Sequence, residues 1–183
     1  MTVNLQFGKF KANDLYEANL TIKNGSININ KCGSLKIISD YSIYELGVVA
    51  TMMGSTSYDG FKIGDIGSAD LKTNFSNMDI GNIKKSFTSE NFSYASLKIG
   101  NVAETFAEIK LKANFASVQI ALTEKHNFKT SLNNDFCNIK TGNVIFYEKS
   151  VDKNDVIIGI AGKLKEPTST VEISNSHGKI VFE

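Results

Sequence analysis

Hydrophobic positions return along this chain on a beat of about 17 residues, through Phe10, Ile27, Tyr44, Phe61, Met78, Leu97, Val118, Ile139 and Val171. The early steps are about 17 residues, the middle ones about 19–21, and the last carries an insertion. A strand-like unit of this length cannot bury its apolar side alone, so repeats stack on one another. The pattern inside one unit is clearest in Leu71–Ile80, LKTNFSNMDI, and Leu111–Ile120, LKANFASVQI. Leu71, Thr73 and Phe75 alternate with Lys72 and Asn74, the period-two signature of a half-buried strand. Two small residues make a corner, and a second strand then points Met78 and Ile80, or Val118 and Ile120, inward. Gly81-Asn82, Gly100-Asn101 and Gly142-Asn143, with Gly64-Asp65 as a variant, read as a second corner at which Gly and Asn accept positive φ. The expected fold is all-β: one parallel β-helix (β-solenoid) domain over residues 1–183, with about nine coils and a length near 43 Å at about 4.8 Å per coil.

Two columns follow from this register. The first residue of many coils is aromatic: Phe7, Tyr58, Phe75, Tyr94, Phe115 and Phe136. Such a row either forms a strip on which sugars lie or an internal stack, and shared strand parity with Leu71, Leu111 and Leu132 favours the internal stack. The outward residue of the second strand reads Lys11, Asn28, Glu45, Lys62, Asp79, Lys98, Gln119, Lys140, Glu172. Its sign alternates from Glu45 to Lys98, as expected when these residues become nearest neighbours in a parallel stack, where opposite charges attract.

The beat lapses between Tyr147 and Pro167, YEKSVDKNDVIIGIAGKLKEP. This segment, about 147–167, is read as a loop plus an extra strand capping the C-terminal end, and irregular insertions on regular scaffolds often carry binding. At the other extreme of order, the little-charged strand Ile180-Val181-Phe182 reads as an exposed last edge through which copies would stack end to end.

Composition narrows the function classes. The net charge is +1 and all twenty basic residues are lysines. Without arginine the chain lacks the usual bidentate reader of phosphate, which argues against nucleotide and nucleic-acid sites. No apolar stretch approaches a membrane span. Cys32 and Cys137 fall at matching coil positions about six coils apart, roughly 30 Å, too far for a disulfide; both read as small buried residues.

With the units laid out, the chain resembles a bacterial adhesin family, similar to the head domains of autotransporter adhesins. The resemblance rests on YDGFKIGDI at Tyr58–Ile66, FSNMDIGNI at Phe75–Ile83, YASLKIGNV at Tyr94–Val102 and FCNIKTGNV at Phe136–Val144. The ending, with Gly159-Ile160-Ala161-Gly162 before Thr168–Ile173 and a strand pair around His177–Ile180, adds to it. The likeness covers the chain from about Leu5 onward. It implies a secreted, periplasmic or surface-anchored β-solenoid without mapped ligand residues. The start MTVNLQFGKF carries no export signal, so an envelope location implies that one was removed.

Catalytic chemistry has a thin basis. Asp59, Asp65, Asp70 and Asp79 form the densest acidic group but occupy different coil positions, and no Gly-Gly-x-Gly-x-Asp calcium repeat occurs. His126 and His177 lie in expected corners and have no metal-ligand spacing with the cysteines. No catalytic, cofactor or metal residues are assigned. The favoured reading is a non-catalytic surface module binding a glycan or protein; the alternatives are a polysaccharide lyase or hydrolase on the same scaffold, and an end-to-end assembly module.

Overall fold

The computed structural model describes Met1–Glu183 and is a parallel β-solenoid without a helix. A short first strand, β1 (Thr2–Leu5), precedes five long bent ones: β2 (Gly8–Lys23), β3 (Gly25–Asp40), β4 (Ile43–Ser57), β5 (Gly60–Asn74) and β6 (Asn77–Ser93). Each long strand is a whole coil. Later coils split in two: β7 (Ser96–Val102) with β8 (Glu108–Asn114), and β9 (Ser117–Ile120) with β10 (Phe128–Asp135). After β11 (Ile139–Lys140) come β12 (Phe146–Asp152), β13 (Val156–Ala161), β14 (Ser169–Ser176) and β15 (Lys179–Phe182).

The 17-residue beat is the physical register. Phe10 pairs with Ile27, Ile27 with Tyr44, Tyr44 with Phe61 and Phe61 with Met78, and the stack continues through Leu97 to Val118. About seven turns are thus stacked in chain order. The stack then departs from that order, which corrects the expectation of nine coils laid down one after another. The rung above Val118 is Ile180, and the rung above Ile180 is Ile139. On the opposite wall β14 pairs with β8 on one side and β10 on the other, both parallel. The last coil of the chain is therefore inserted beneath the one before it.

Two assignments change with this insertion. Val171 faces Ile109 and Thr130, so it belongs to the first wall, and Ile180 is the true counterpart of Val118. Val181, not Glu172, occupies the outward column between Gln119 and Lys140. The expected exposed edge at Ile180-Val181-Phe182 is likewise an interior strand, with Ile180 and Phe182 fully buried between β9 and β11. The sequence motive for end stacking through that strand is thereby removed.

Between Tyr147 and Pro167 the chain forms a hairpin. β12 pairs antiparallel with β13, and β13 runs antiparallel along β10, covering that wall at the C-terminal end. At the other end β1 covers only Asn19–Ile22 of β2, leaving the rest of that edge unpaired. Cys32 and Cys137 are both free and do not share a coil position. Cys32 stacks between Leu15 and Val49 and is buried, whereas Cys137 follows Phe136 in the opposite corner and is only partly covered.

The core is one cluster of inward aliphatic and aromatic side chains, including Ile27, Ile37, Tyr44, Phe61, Leu71, Phe87, Phe92, Leu111 and Phe128. The glycine corner works differently from the sequence expectation. Of the four corner glycines quoted, only Gly142 has a positive φ. Gly64 and Gly81 are required instead by proximity: a Cβ on Gly64 would sit 2.6 Å from the Gly47 carbonyl oxygen, and one on Gly81 2.6 Å from that of Gly64. The Asp and Asn that follow form a polar ladder, with Asn101 donating to Asn82 (3.1 Å) and Asn82 to Asp65 (2.7 Å).

Gly64→Ala should cost about 1–3 kcal/mol, because the obstacle is backbone and cannot rotate away. Gly60→Ala should change stability by less than about 0.5 kcal/mol, since nothing lies within 4 Å of its added Cβ. Urea midpoints of the two variants against the parent protein check this contrast.

Candidate binding surface: an exposed aromatic ladder and the groove beside it

The aromatic row is outside the protein, contrary to the reading from strand parity. Tyr41, Tyr58, Phe75, Tyr94 and Phe115 are 44–53% exposed, and Phe136 is 79% exposed. The reason is in the backbone. Tyr41, Tyr58, Phe75, Tyr94, Phe115, Phe136 and His177 all have φ between 48° and 71°, as does Asn24 at the foot of the column. One left-handed residue breaks the alternation of a strand, so the ring swings outward and the following residue points in. Those following residues are Ser42, Asp59, Ser76, Ala95 and Ala116, all buried. They are small because they fill the inside of a tight corner.

The rings stack face to face from rung to rung. Centroid separations are 4.6 Å for Tyr41–Tyr58, 4.8 Å for Tyr58–Phe75 and for Phe75–Tyr94, and 5.0 Å for Tyr94–Phe115. His177 then fits between Phe115 (4.7 Å) and Phe136 (4.4 Å). The ladder therefore crosses the inserted coil without interruption. Between the two ends each ring face is covered by a neighbour and the edges face solvent; the outer faces of Tyr41 and Phe136 end the row.

A groove of about 500 Å³ lies against the outer wall next to the rings. Ile43, Gly60, Asn77 and Ser96 form its near strip, and Glu45, Lys62, Asp79 and Lys98 its far strip. These last four are adjacent in register, Glu45 to Lys62 to Asp79 to Lys98, as the alternating charge column requires. Close ion pairs form elsewhere: Lys84–Asp65 at 3.0 Å, Lys110–Glu172 at 3.5 Å, Lys112–Glu90 at 2.5 Å and Lys149–Asp152 at 3.0 Å. Lys84, and after it Asn82, holds the Asp65 carboxyl below its ordinary range, and Lys112 does the same for Glu90.

The four aspartates singled out in sequence do not converge. Asp59 is buried inside the corner, Asp65 pairs with Lys84, Asp70 is exposed on the β5 wall, and Asp79 lines the groove. No group of three His, Cys, Asp or Glu side chains is placed to hold a metal ion. His126 is a structural pin: the Thr123 N–H donates to Nδ1 (3.0 Å), which leaves Nε2 to donate to the Val102 carbonyl (2.9 Å). No helix is long and apolar enough to cross a membrane.

Asp59 sits directly behind the ladder. Its Oδ1 accepts from the Ser42 N–H (2.6 Å) and its Oδ2 from the Ser57 N–H (3.2 Å), while its own N–H donates to Ser76 Oγ (3.0 Å). Ser39 Oγ and Tyr44 Oη, in the same buried region, make no hydrogen bond. Burial raises the Asp59 carboxyl to about 6, against the pull of its N–H donors, and burial likewise pushes the Tyr44 phenol up. No family model, curated protein or solved structure matches this chain.

Two outcomes follow. The folded state holds the Asp59 proton more tightly than the unfolded chain does, so its contribution is complete below the unfolded value near 4. That contribution is lost as pH rises through about 6. Asp59→Asn should therefore gain on the parent protein, on the order of 2 kcal/mol, between pH 4 and pH 7, as read from urea unfolding at both values. At the ladder, Phe75→Ala should cost about 1–3 kcal/mol, losing two stacking partners while keeping a left-handed non-glycine residue. Phe75→Gly should recover about 1 kcal/mol of that loss by relieving the backbone, measured the same way.

Proposed function

We propose that the protein is a non-catalytic binding module of the cell surface or envelope, which holds an extended polymer along the groove beside its aromatic ladder. The observation that carries this reading is the ladder itself: seven rings, from Tyr41 to Phe136, left in solvent along one edge. Continuous exposed apolar surface on a folded protein marks an interaction site. The groove adds one charged partner per rung, alternating in sign, with no net charge that would select a polyanion or polycation.

A linear neutral or zwitterionic glycan suits this surface best. Its C–H edges would meet ring edges, and its hydroxyls would meet Asn77, Ser96 and the alternating Glu45, Lys62, Asp79 and Lys98. Flat stacking of a sugar on a ring is confined to the two ends of the row, at Phe136 and at Tyr41, because the faces between them are taken. The resemblance to adhesin head domains agrees with a role at the cell surface.

One feature favours the enzymatic alternative. Glu45 and Asp79 stand in the same groove two rungs apart, about 9.6 Å by strand spacing, at the outer limit of the roughly 6.5–9.5 Å that separates an inverting acid–base pair. Against it, both side chains lie on an open face, with Lys62 between them and no wall to exclude water.

Glycan-array screening of the purified protein should give a linear glycan as ligand. Lys62→Ala and Tyr94→Ser should each weaken it at least about tenfold, the scale of one lost contact worth about 1.4 kcal/mol. Lys36→Ala, on the other wall, should not. Binding to no glycan, or equal loss with Lys36→Ala, counts against the groove. Release of new reducing ends, abolished by Glu45→Gln, would establish the enzyme instead.

A further inference from the structure

The inserted coil is held on both sides by parts of the chain that do not otherwise pair with each other. β8 bonds to β6 and β14, and β10 to β13 and β14, so β14 alone joins the seven-turn body to the C-terminal unit on that wall. On the other wall β15 does the same between β9 and β11. The connection 162–168 joins the insert to the hairpin before it.

The slot is also selective. Val171, Ile173, Ile180 and Phe182 bury their side chains in the shared core. Asn175, fully buried, donates to the Ala116 carbonyl and to Asn134 Oδ1 (both 3.0 Å), and Asn134 in turn donates to the Gly178 carbonyl (3.2 Å). Thr130 Oγ1 donates to the Val171 carbonyl (3.1 Å), and Lys110 pairs with Glu172. His177 closes the ring ladder between Phe115 and Phe136. A strand pair lacking the inward Asn would leave buried polar groups unpaired, and one with a side chain in place of Gly178 would collide with the Ala116 carbonyl.

We infer that this slot is an interaction site for the C-terminal coil of a second copy of the same chain, and that reciprocal exchange of β14 and β15 joins two solenoids into a closed dimer. An incoming copy of residues 169–182 makes every contact that the chain's own segment makes, so only the tether differs, where the Lys163 and Leu164 N–H groups bond Asn127 Oδ1 (2.7 and 3.0 Å). A short tether gives the chain's own segment an effective concentration of about millimolar. Exchange therefore competes when chains fold at similar concentrations. Once formed, the dimer persists on dilution, because separation requires both inserts to be withdrawn from the core.

The test is co-refolding of two full-length variants, Ser131→Cys and Glu172→Cys, each also carrying Cys137→Ser. Ser131 and Glu172 are register partners across β10 and β14, and both are exposed. The double variant S131C/E172C should close an intrachain disulfide as a monomer, which confirms fold and geometry. Co-refolded single variants should give an interchain disulfide between the two species, with a yield rising at least about tenfold between about 10 µM and 1 mM, a range that climbs to the tether's effective concentration. The same dimer should survive dilution on size exclusion before oxidation. Monomer at every concentration overturns the inference. So does an equal yield when Lys36→Cys replaces Glu172→Cys, which would signal random cross-linking.

Discussion

The structure depends on one constraint: a parallel stack must keep its backbone bonded from rung to rung even where the chain turns. The left-handed corner residue meets it. The Tyr41 N–H donates to the Ser57 carbonyl (3.0 Å), Tyr58 to Asn74 (3.1 Å), Phe75 to Ser93 (3.0 Å) and Tyr94 to Asn114 (2.8 Å). Each acceptor is the residue just before the next coil's corner, so the ladder of bonds runs through the bend. The residue after the corner continues it, with Gly60 donating to Ser42, Asn77 to Asp59 and Ser96 to Ser76. Where the small inward residue carries an oxygen, as in Ser42, Asp59 and Ser76, it also satisfies N–H groups inside the bend.

That constraint asks only for a positive φ, for which glycine or asparagine would serve at less cost. Asn24 is such a choice at the foot of the column. Every rung above it uses an aromatic ring or His177 instead. Ring spacings of 4.4–5.0 Å match the strand spacing of about 4.8 Å, so a ring placed at one corner finds the next already at stacking distance. The stacking offsets the backbone strain, but it also leaves apolar edges in water, which a glycine column would not. Stability alone does not demand that arrangement, and this is why the ladder is the natural place to look for a partner.

Much of this was legible in the chain. The beat gave the rung-to-rung register, the inward series from Ile27 to Val118, and the alternating column Glu45–Lys98, because all three depend on period-two alternation within straight strands. The aromatic row misled for the same reason: parity was carried from Leu71 through Thr73 to Phe75, across a residue whose left-handed backbone cancels it. The small residues after the rings, Ser76 and Ala116, were the signal that something bulky could not be inside. The order of the last two coils was beyond reach, because a rung of Val171 and Ile173 fits above Leu111 or above Leu132 equally well by pattern. What decides it is the length of the hairpin and the matching of Asn175 to Asn134, a pairing between residues 41 apart with no periodic signature.

The ladder and the inserted coil are one system. His177 belongs to the insert, while Phe115 lies below the slot and Phe136 above it. A polymer long enough to follow the ring edges past Phe115 would touch groups on both sides of the slot and on the insert itself. Such a ligand binds the closed arrangement better than one with the insert withdrawn, and so must oppose withdrawal by the same free energy that closure adds to its binding. A dimer made by exchange keeps the same local arrangement at each slot, with a His177 from the other chain. Ligand binding would then hold whichever partner is already in place, monomer or dimer, and slow the passage between them.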